Sequence, residues 1–167
     1  MRQLERDTNF QLRPANNADR QAVESVVFNV LAEYGLQPDP NGTDSDLHDI
    51  EASYHANGGC FDVVVDPTGE VVGSIGLMRK SAGVCELRKM YLRPTCRGCG
   101  LGRKLMEHAM QRAEQLGFSR MELETASVLR EAVCLYESFG FKPYQPSHLA
   151  ERCDVAYFRN LGPTGAA

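Results

Sequence analysis

The stretch TCRGCGLGRK, residues 95–104, sets two cysteines, three glycines and three basic side chains within ten positions. Several chemistries use these residue types. A structural zinc site takes four ligands, usually two Cys or His pairs at matched spacing. Cys96-x-x-Cys99 has no second pair, and His48, His55, His108 and His148 are scattered. A redox dithiol sits at a helix start after a strand, as this pair does, but has no use for three glycines. Two nucleotide patterns also fail. Arg103 stands where G-x-x-x-x-G-K-[ST] needs its second glycine, and the spacing Gly98-x-Gly100-x-Gly102 is not G-x-G-x-x-G.

The physics of an anion cradle outlives those patterns. Pro94 ends a strand, a glycine turn follows, and an amphipathic helix starts near Gly100. The first amides of a helix have no intrahelical partner, and the helix dipole lies behind them. Glycine lets a phosphate approach with no Cβ in the way. Arg97, Arg103 and Lys104 add charge. The plain alternative is a tight strand-to-helix turn carrying surface charges.

The elements that must hold this turn follow from periodicity. Phe10–Arg13 reads as a short strand. Ala22, Val23, Val26, Val27, Val30 and Leu31 mark a helix stopped at Gly35. A second helix is expected through Leu47, Ile50 and Tyr54, ended at Gly58-Gly59. Strands at 60–66 and 71–78 flank the turn PTGE, and a third runs over 84–93. Leu101, Leu105, Ala109, Ala113 and Leu116 share a helix face, and 119–125 is a strand. A helix over 130–139 and strands at 141–144 and 153–158 complete the order β-α-α-β-β-β-α-β-α-β-β. That order implies an α+β domain with a mixed, mostly antiparallel sheet flanked by helices. The whole chain, 1–167, reads as one domain, with 160–167 as a flexible tail.

Charge is unevenly divided. Residues 21–78 hold ten Asp and Glu and no Lys or Arg, whereas 79–130 hold eleven Lys and Arg against five Glu. The division suggests a basic half facing a polyanion and an acidic half facing a cation, the plain alternative being charges that merely solvate two surfaces. No stretch approaches the ~20 apolar residues that span a bilayer, and the start MRQLERDTNF lacks a signal-peptide core. A cytoplasmic protein with no membrane or nucleic-acid partner is expected, its six cysteines reduced and mostly structural.

The segment ELRKMYLRPTCRGCGLGRKLMEHA resembles the signature of the GNAT N-acetyltransferase superfamily, whose loop reads Q/R-x-x-G-x-G/A, met by Arg97, Gly100 and Gly102. EAVCLYESFGFKPY resembles that superfamily's last helix and strand, A-x-x-L-Y-x-x-x-G-F. The two motifs cover about residues 84–144. The resemblance implies acetyl-CoA as cosubstrate with no metal. Amides of Arg97, Gly98, Cys99, Gly100, Leu101, Gly102 and Arg103 would hold its pyrophosphate. The backbone of Met90, Tyr91 and Leu92, on a strand splayed from its neighbour, would pair with pantetheine and polarise the thioester carbonyl. Some members carry an asparagine three residues before the helix alanine; Leu129 stands there, so that contact is not carried over.

Acetyl transfer to an amine needs a neutral amine, a stabilised oxyanion and a protonated leaving thiol. Tyr136 matches the tyrosine that family members use to protonate the departing sulfur, and Glu86 lies where many place the base. Strand alternation puts Glu86, Arg88, Met90 and Leu92 on one face. Each has a bland alternative: Tyr136 as core packing, Glu86 as a strand-edge ion pair, and Cys134 is read as packing rather than a nucleophile. The family builds its acceptor site from the first two helices and their connection, where Asp39, Asp44, Asp46, Asp49 and Glu51 gather. The implied acceptor is a small cationic amine or a peptide lysine or N-terminus, with helix capping as the rival role of those carboxylates. A non-catalytic acyl-CoA sensor is the alternative function, and the family's frequent homodimers make a dimer an open expectation.

Overall fold

The computed structural model describes residues 9–162. Seven strands form one sheet in the order β1-β2-β3-β4-β5-β7-β6. They are β1 Gln11–Pro14, β2 Cys60–Val65, β3 Val71–Ser81, β4 Val84–Leu92, β5 Arg120–Thr125, β6 Lys142–Tyr144 and β7 Val155–Asn160. Every pairing is antiparallel except β4 with β5. Three helices flank the sheet: α1 Arg20–Glu33, α2 Leu101–Gln115 and α3 Arg130–Ser138. The expected α+β class and strand order are what forms.

Alternation along β2 divides the core between the two faces of the sheet. Cys60 and Val64 pack in the cluster built on Leu105, Met106, Ala109 and Ala113 of α2. Phe61, Val63 and Val65 pack in the other, built on Val23, Val26, Val27 and Leu31 of α1.

Two expectations change. The helix foreseen through Leu47, Ile50 and Tyr54 is a 3-10 turn, Ser45–Asp49, running into a π turn, Glu51–His55. Asp46 is buried beside Leu47, so a carboxylate takes an inner position that a one-sided amphipathic α-helix fills with an apolar residue. The tail foreseen from residue 160 is not free at its start. Asn160 ends β7, and Leu161 is buried with its amide on the Ser119 carbonyl at 2.8 Å. The rest of that tail, 163–167, lies outside the described residues. No helix among the described residues is long and apolar enough to cross a membrane.

Gly76, mid-β3, fixes where the 45–55 segment docks. A Cβ there would lie 2.8 Å from ring atoms of both Phe61 and Tyr54, which meet edge-on with centroids 4.8 Å apart. The missing side chain is the seat of Tyr54, a fully buried residue. Gly76→Ala is therefore expected to overpack this contact and to remove about 1–3 kcal/mol of stability. Urea unfolding checks it; an unchanged midpoint would mean that the ring pair yields freely.

Candidate active site

β4 and β5 are paired only where Val84–Glu86 lie beside Arg120–Glu122. Beyond Glu86 the strands part, as a splayed strand should. The gap is the apex of a cleft of about 470 Å³, floored by Leu87–Leu92 on one side and Glu124–Ala126 on the other. One limb runs to the glycine loop and the start of α3. The other runs between Thr43 and the 148–153 segment.

The glycine loop has the form of an anion cradle. Gly98 and Gly100 take φ of +79° and +82°, a left-handed conformation that strains any residue with a Cβ. Gly100 caps α2 without a side-chain bond. Among the described residues, no acceptor is found for the amides of residues 98–103; the first bonded amide is Lys104, on the Gly100 carbonyl at 3.1 Å. Gly102 is different. It is helical, lines the cleft, and a Cβ there would make only ordinary contact with Leu135 and Leu92.

Side chains in this loop serve the frame more than the cradle. Arg97 was expected to add charge for an anion. Its guanidinium instead grips Glu33, at 2.7 and 3.0 Å, and the Leu92 carbonyl, at 3.1 and 2.9 Å. It ties the loop to the end of α1 and to β4. Arg103 lies over the Phe139 ring at 4.9 Å, and the Leu101 side chain is buried in the core. Cys96 is buried, Cys99 is exposed, and both are free thiols, with Cys99 Sγ donating to the Cys96 carbonyl at 3.2 Å. Elsewhere in the basic half, Lys80 pairs with Glu122 and Arg93 with Glu70, so much of that charge faces the protein itself.

The shared face expected for Glu86, Arg88, Met90 and Leu92 does not form, because β4 is bulged. Gly76 pairs with Arg88 and Ser74 with Tyr91, so Ile75 alone faces both Lys89 and Met90. Such an insertion shifts the side-chain alternation by one. Lys89 takes the left-handed φ of +54°, among the described residues the only non-glycine to do so. Met90 and Leu92 turn to the α2 face, while Tyr91 joins the α1 cluster. Glu86 and Arg88 stay together, 3.7 Å apart.

The bulge buries the Lys89 ammonium, which meets Asp44 at 3.1 Å and Asp46 at 3.2 Å. Arg152 grips Asp44 with two bonds of 2.7 Å. Arg88 donates to the Thr43 carbonyl at 2.6 Å, and the Tyr54 hydroxyl donates to Asp46. Burial opposes the Asp44 carboxylate, but Arg152, Lys89 and the Asp39 amide together hold its pKa well below the usual value. Burial draws the Lys89 ammonium below its ordinary pKa, although Asp46 and Asp44 resist. This cluster corrects the reading of the acidic lobe as a free cation trap. Asp49 bonds the Ala52 amide and the Asn17 side chain, Asp39 bonds the Thr43 amide, and Glu51 takes the Asn17 amide. All five carboxylates have internal partners.

Tyr136 and Glu86 both reach the cleft. Tyr136 is buried beside Phe141 and Tyr157, at centroid distances of 6.0 and 6.5 Å. Burial first, then Tyr91 and Cys153, push its phenol pKa far above 10. No partner for its hydroxyl is found among the described residues. Burial also raises the Glu86 pKa; Arg88 opposes this and Glu124 adds to it. Met90, Tyr91 and Leu92 line the cleft, as do Arg97, Gly98 and Gly102; Cys99, Gly100, Leu101 and Arg103 do not. Lys89, Glu124, His148, Arg152 and Cys153 line it without having been foreseen. Adjacent charges at Arg88-Lys89 within an apolar strand were the one local sign of the bulge. Arg152 gave none, lying 108 residues from Asp44.

The family model described as "Acetyltransferase (GNAT) family" matches residues 27–141. An uncharacterized N-acetyltransferase of Escherichia coli, YjgM, is 42% identical over 129 residues, covering 74% of this chain and 77% of its own length. An uncharacterized N-acetyltransferase of Schizosaccharomyces pombe is 33% identical over 135 residues, covering 80% and 83%. The crystal structure of an acetyltransferase of the GNAT family from Staphylococcus aureus superposes with a TM-score of 0.85 at 22% identity, covering 92% of this chain and 99% of that one.

Removing Asp44 would leave Lys89 and Arg152 buried without their shared partner. Asp44→Ala is expected to cost about 3–5 kcal/mol at neutral pH. Because folding depresses this pKa, the contribution is complete above the unfolded carboxylate value of about 3.9 and is lost as pH falls below it. Urea midpoints at neutral pH and in acid should converge between wild type and variant as pH drops. A constant gap would remove Asp44 ionisation from the stability of the fold.

Proposed function

Because this chain belongs to the GNAT family of acetyltransferases, an acetyl-CoA-dependent class, we propose that its cleft carries an acetyl group from acetyl-CoA to a primary amine by direct attack. The observation carrying this reading is the run of partnerless amides over residues 98–103, continuous with the open edge of β4. Acetyl-CoA supplies an activated acetyl thioester when bound. Its pyrophosphate suits the amides at the start of α2, where the helix dipole favours an anion and no Cβ intrudes at Gly98 or Gly100. The pantetheine arm suits the edge of Met90, Tyr91 and Leu92, which β5 leaves unpaired. Amides at that edge are placed to stabilise the charge that develops on the carbonyl oxygen.

The amine enters from the limb between Thr43 and residues 148–153. Glu86 takes a proton from the ammonium, directly or through water, as the nitrogen attacks and the carbon–sulfur bond breaks. Its raised pKa suits a base better than an ordinary carboxylate would. Tyr136 protonates the leaving sulfur; its buried phenol keeps its proton throughout the working pH range. The five carboxylates of the acidic lobe no longer argue for a cationic acceptor, since internal groups hold them.

Tyr136→Phe is expected to lower kcat by about 10²-fold while CoA affinity stays within about twofold, because only the proton donor is lost. Stopped-flow thiol release and CoA titration check both halves, and an unchanged kcat would take Tyr136 out of the reaction. Glu86→Gln should abolish the acidic limb of the kcat/KM profile, which in wild type lies above the ordinary glutamate value of about 4.3. If the limb persists, another group is the base. CoA binding without thiol release, across a wide amine panel, would make the chain a binding module.

A further inference from the structure

The acceptor limb is lined by charges of both signs. Glu86 and Glu124 supply the negative ones, and Glu124 accepts the Ala150 amide at 2.8 Å. Arg88, Lys89 and Arg152 supply the positive ones, with His148 also in the lining. Glu86 lies 3.7 Å from Arg88, and Asp46 reaches both Arg88 and Lys89. Arg152 has Asp44 as its carboxylate and shares it with Lys89.

Arg152 presents this cluster to the cleft. Asp44 has no side-chain exposure, whereas Arg152 keeps 13% and lines the cleft. The carboxylate thus braces the guanidinium from behind, using two of its five N–H donors. A guanidinium fixed in this way has already lost its rotamer freedom, so a second carboxylate arriving from the cleft meets an oriented fork. Tyr91, its pKa pushed up to about 12 chiefly by burial, adds a protonated phenol beside Arg152.

We propose that the acceptor is an amine carrying its own carboxylate, a free amino acid, with the carboxylate on Arg152 and the amine turned toward Glu86 and Glu124. The assignment rests on the acetyl-transfer reading for its chemistry and on the Asp44-braced Arg152 for its specificity. The lining suits a zwitterion: the carboxylate meets Arg152, whose own partner Asp44 is shared with Lys89, and the two glutamates receive the ammonium. A polyamine would instead bring a second positive charge to Arg152, whose one carboxylate is already shared with Lys89.

The test pairs acceptors that differ only in the carboxylate: amino acids, their carboxamides and the corresponding decarboxylated amines, with a polyamine alongside. Wild type should favour the acids in kcat/KM by about 10²-fold, the size expected when a buried charge loses its partner. In Arg152→Gln that preference should collapse through KM for the amino acid, with KM for acetyl-CoA unchanged. Arg152→Lys keeps the charge without the fork and should fall between. Equal rates for acid and carboxamide, or a preference for the polyamine, would overturn the proposal. Calorimetry of amino acids against the CoA-loaded protein separates it from the acetyl-transfer reading. Arg152-dependent binding without turnover would sink that reading and leave the carboxylate site standing. Absence of amino-acid binding in wild type would end the proposal itself.

Discussion

An ammonium group out of water must meet carboxylates or lose its charge, and that requirement at Lys89 organises the centre of this protein. The left-handed turn at Lys89 points its side chain into the interior, where Asp44 and Asp46 receive it. Both carboxylates belong to the 39–55 segment, so the pairing fastens an irregular stretch onto the middle of the sheet. Arg152 takes the far side of Asp44 and brings the approach to β7 into the same cluster. Arg88, Lys89 and Arg152, which all line the cleft, thus share one buried network of charge.

The same bulge sorts the strand's duties. Ahead of it, β4 offers Glu86 to the cleft and Cys85 and Leu87 to the α2 core. After it, the backbone edge of Met90 to Leu92 borders the glycine loop, and Met90 and Leu92 pack toward α2. A regular strand would have kept Glu86, Arg88, Met90 and Leu92 on one side. The inserted residue separates the Glu86–Arg88 pair from the backbone edge of Met90 to Leu92.

Much of this was legible before any coordinates. Apolar spacing located α1 and α2, and glycine stops placed their ends, because burial of one face dominates those elements. The loop could be found because an anion cradle calls for glycines ahead of a helix, and Tyr136 because its helix resembles the last motif of the family. Arg97 was legible as a motif residue but not as a brace, since Glu33 lies 64 positions away. The same holds for Asp44 and Arg152. Long-range pairing of charges leaves no period to read: Asp39 and Asp49 bond amides four and three residues away, as capping carboxylates do, whereas Asp44 and Asp46 meet Arg152 and Lys89 from far along the chain. The 45–55 segment failed for a related reason: its inward Asp46 breaks the helical pattern to serve Lys89.

The parting of β4 from β5 has a thermodynamic side. Three residue pairs hold the two halves of the sheet together, and past them both strands present an edge without a ladder. Amides on such an edge exchange with solvent readily, since nothing shields them. A ligand whose own polar groups align along that edge acts as a missing strand, and its occupancy should appear as hydrogen-exchange protection on residues 87–92. Binding then adds to the fold's stability in proportion to the logarithm of ligand concentration over its dissociation constant. Substrate capture and completion of the sheet become one equilibrium, with the empty protein as its less protected end.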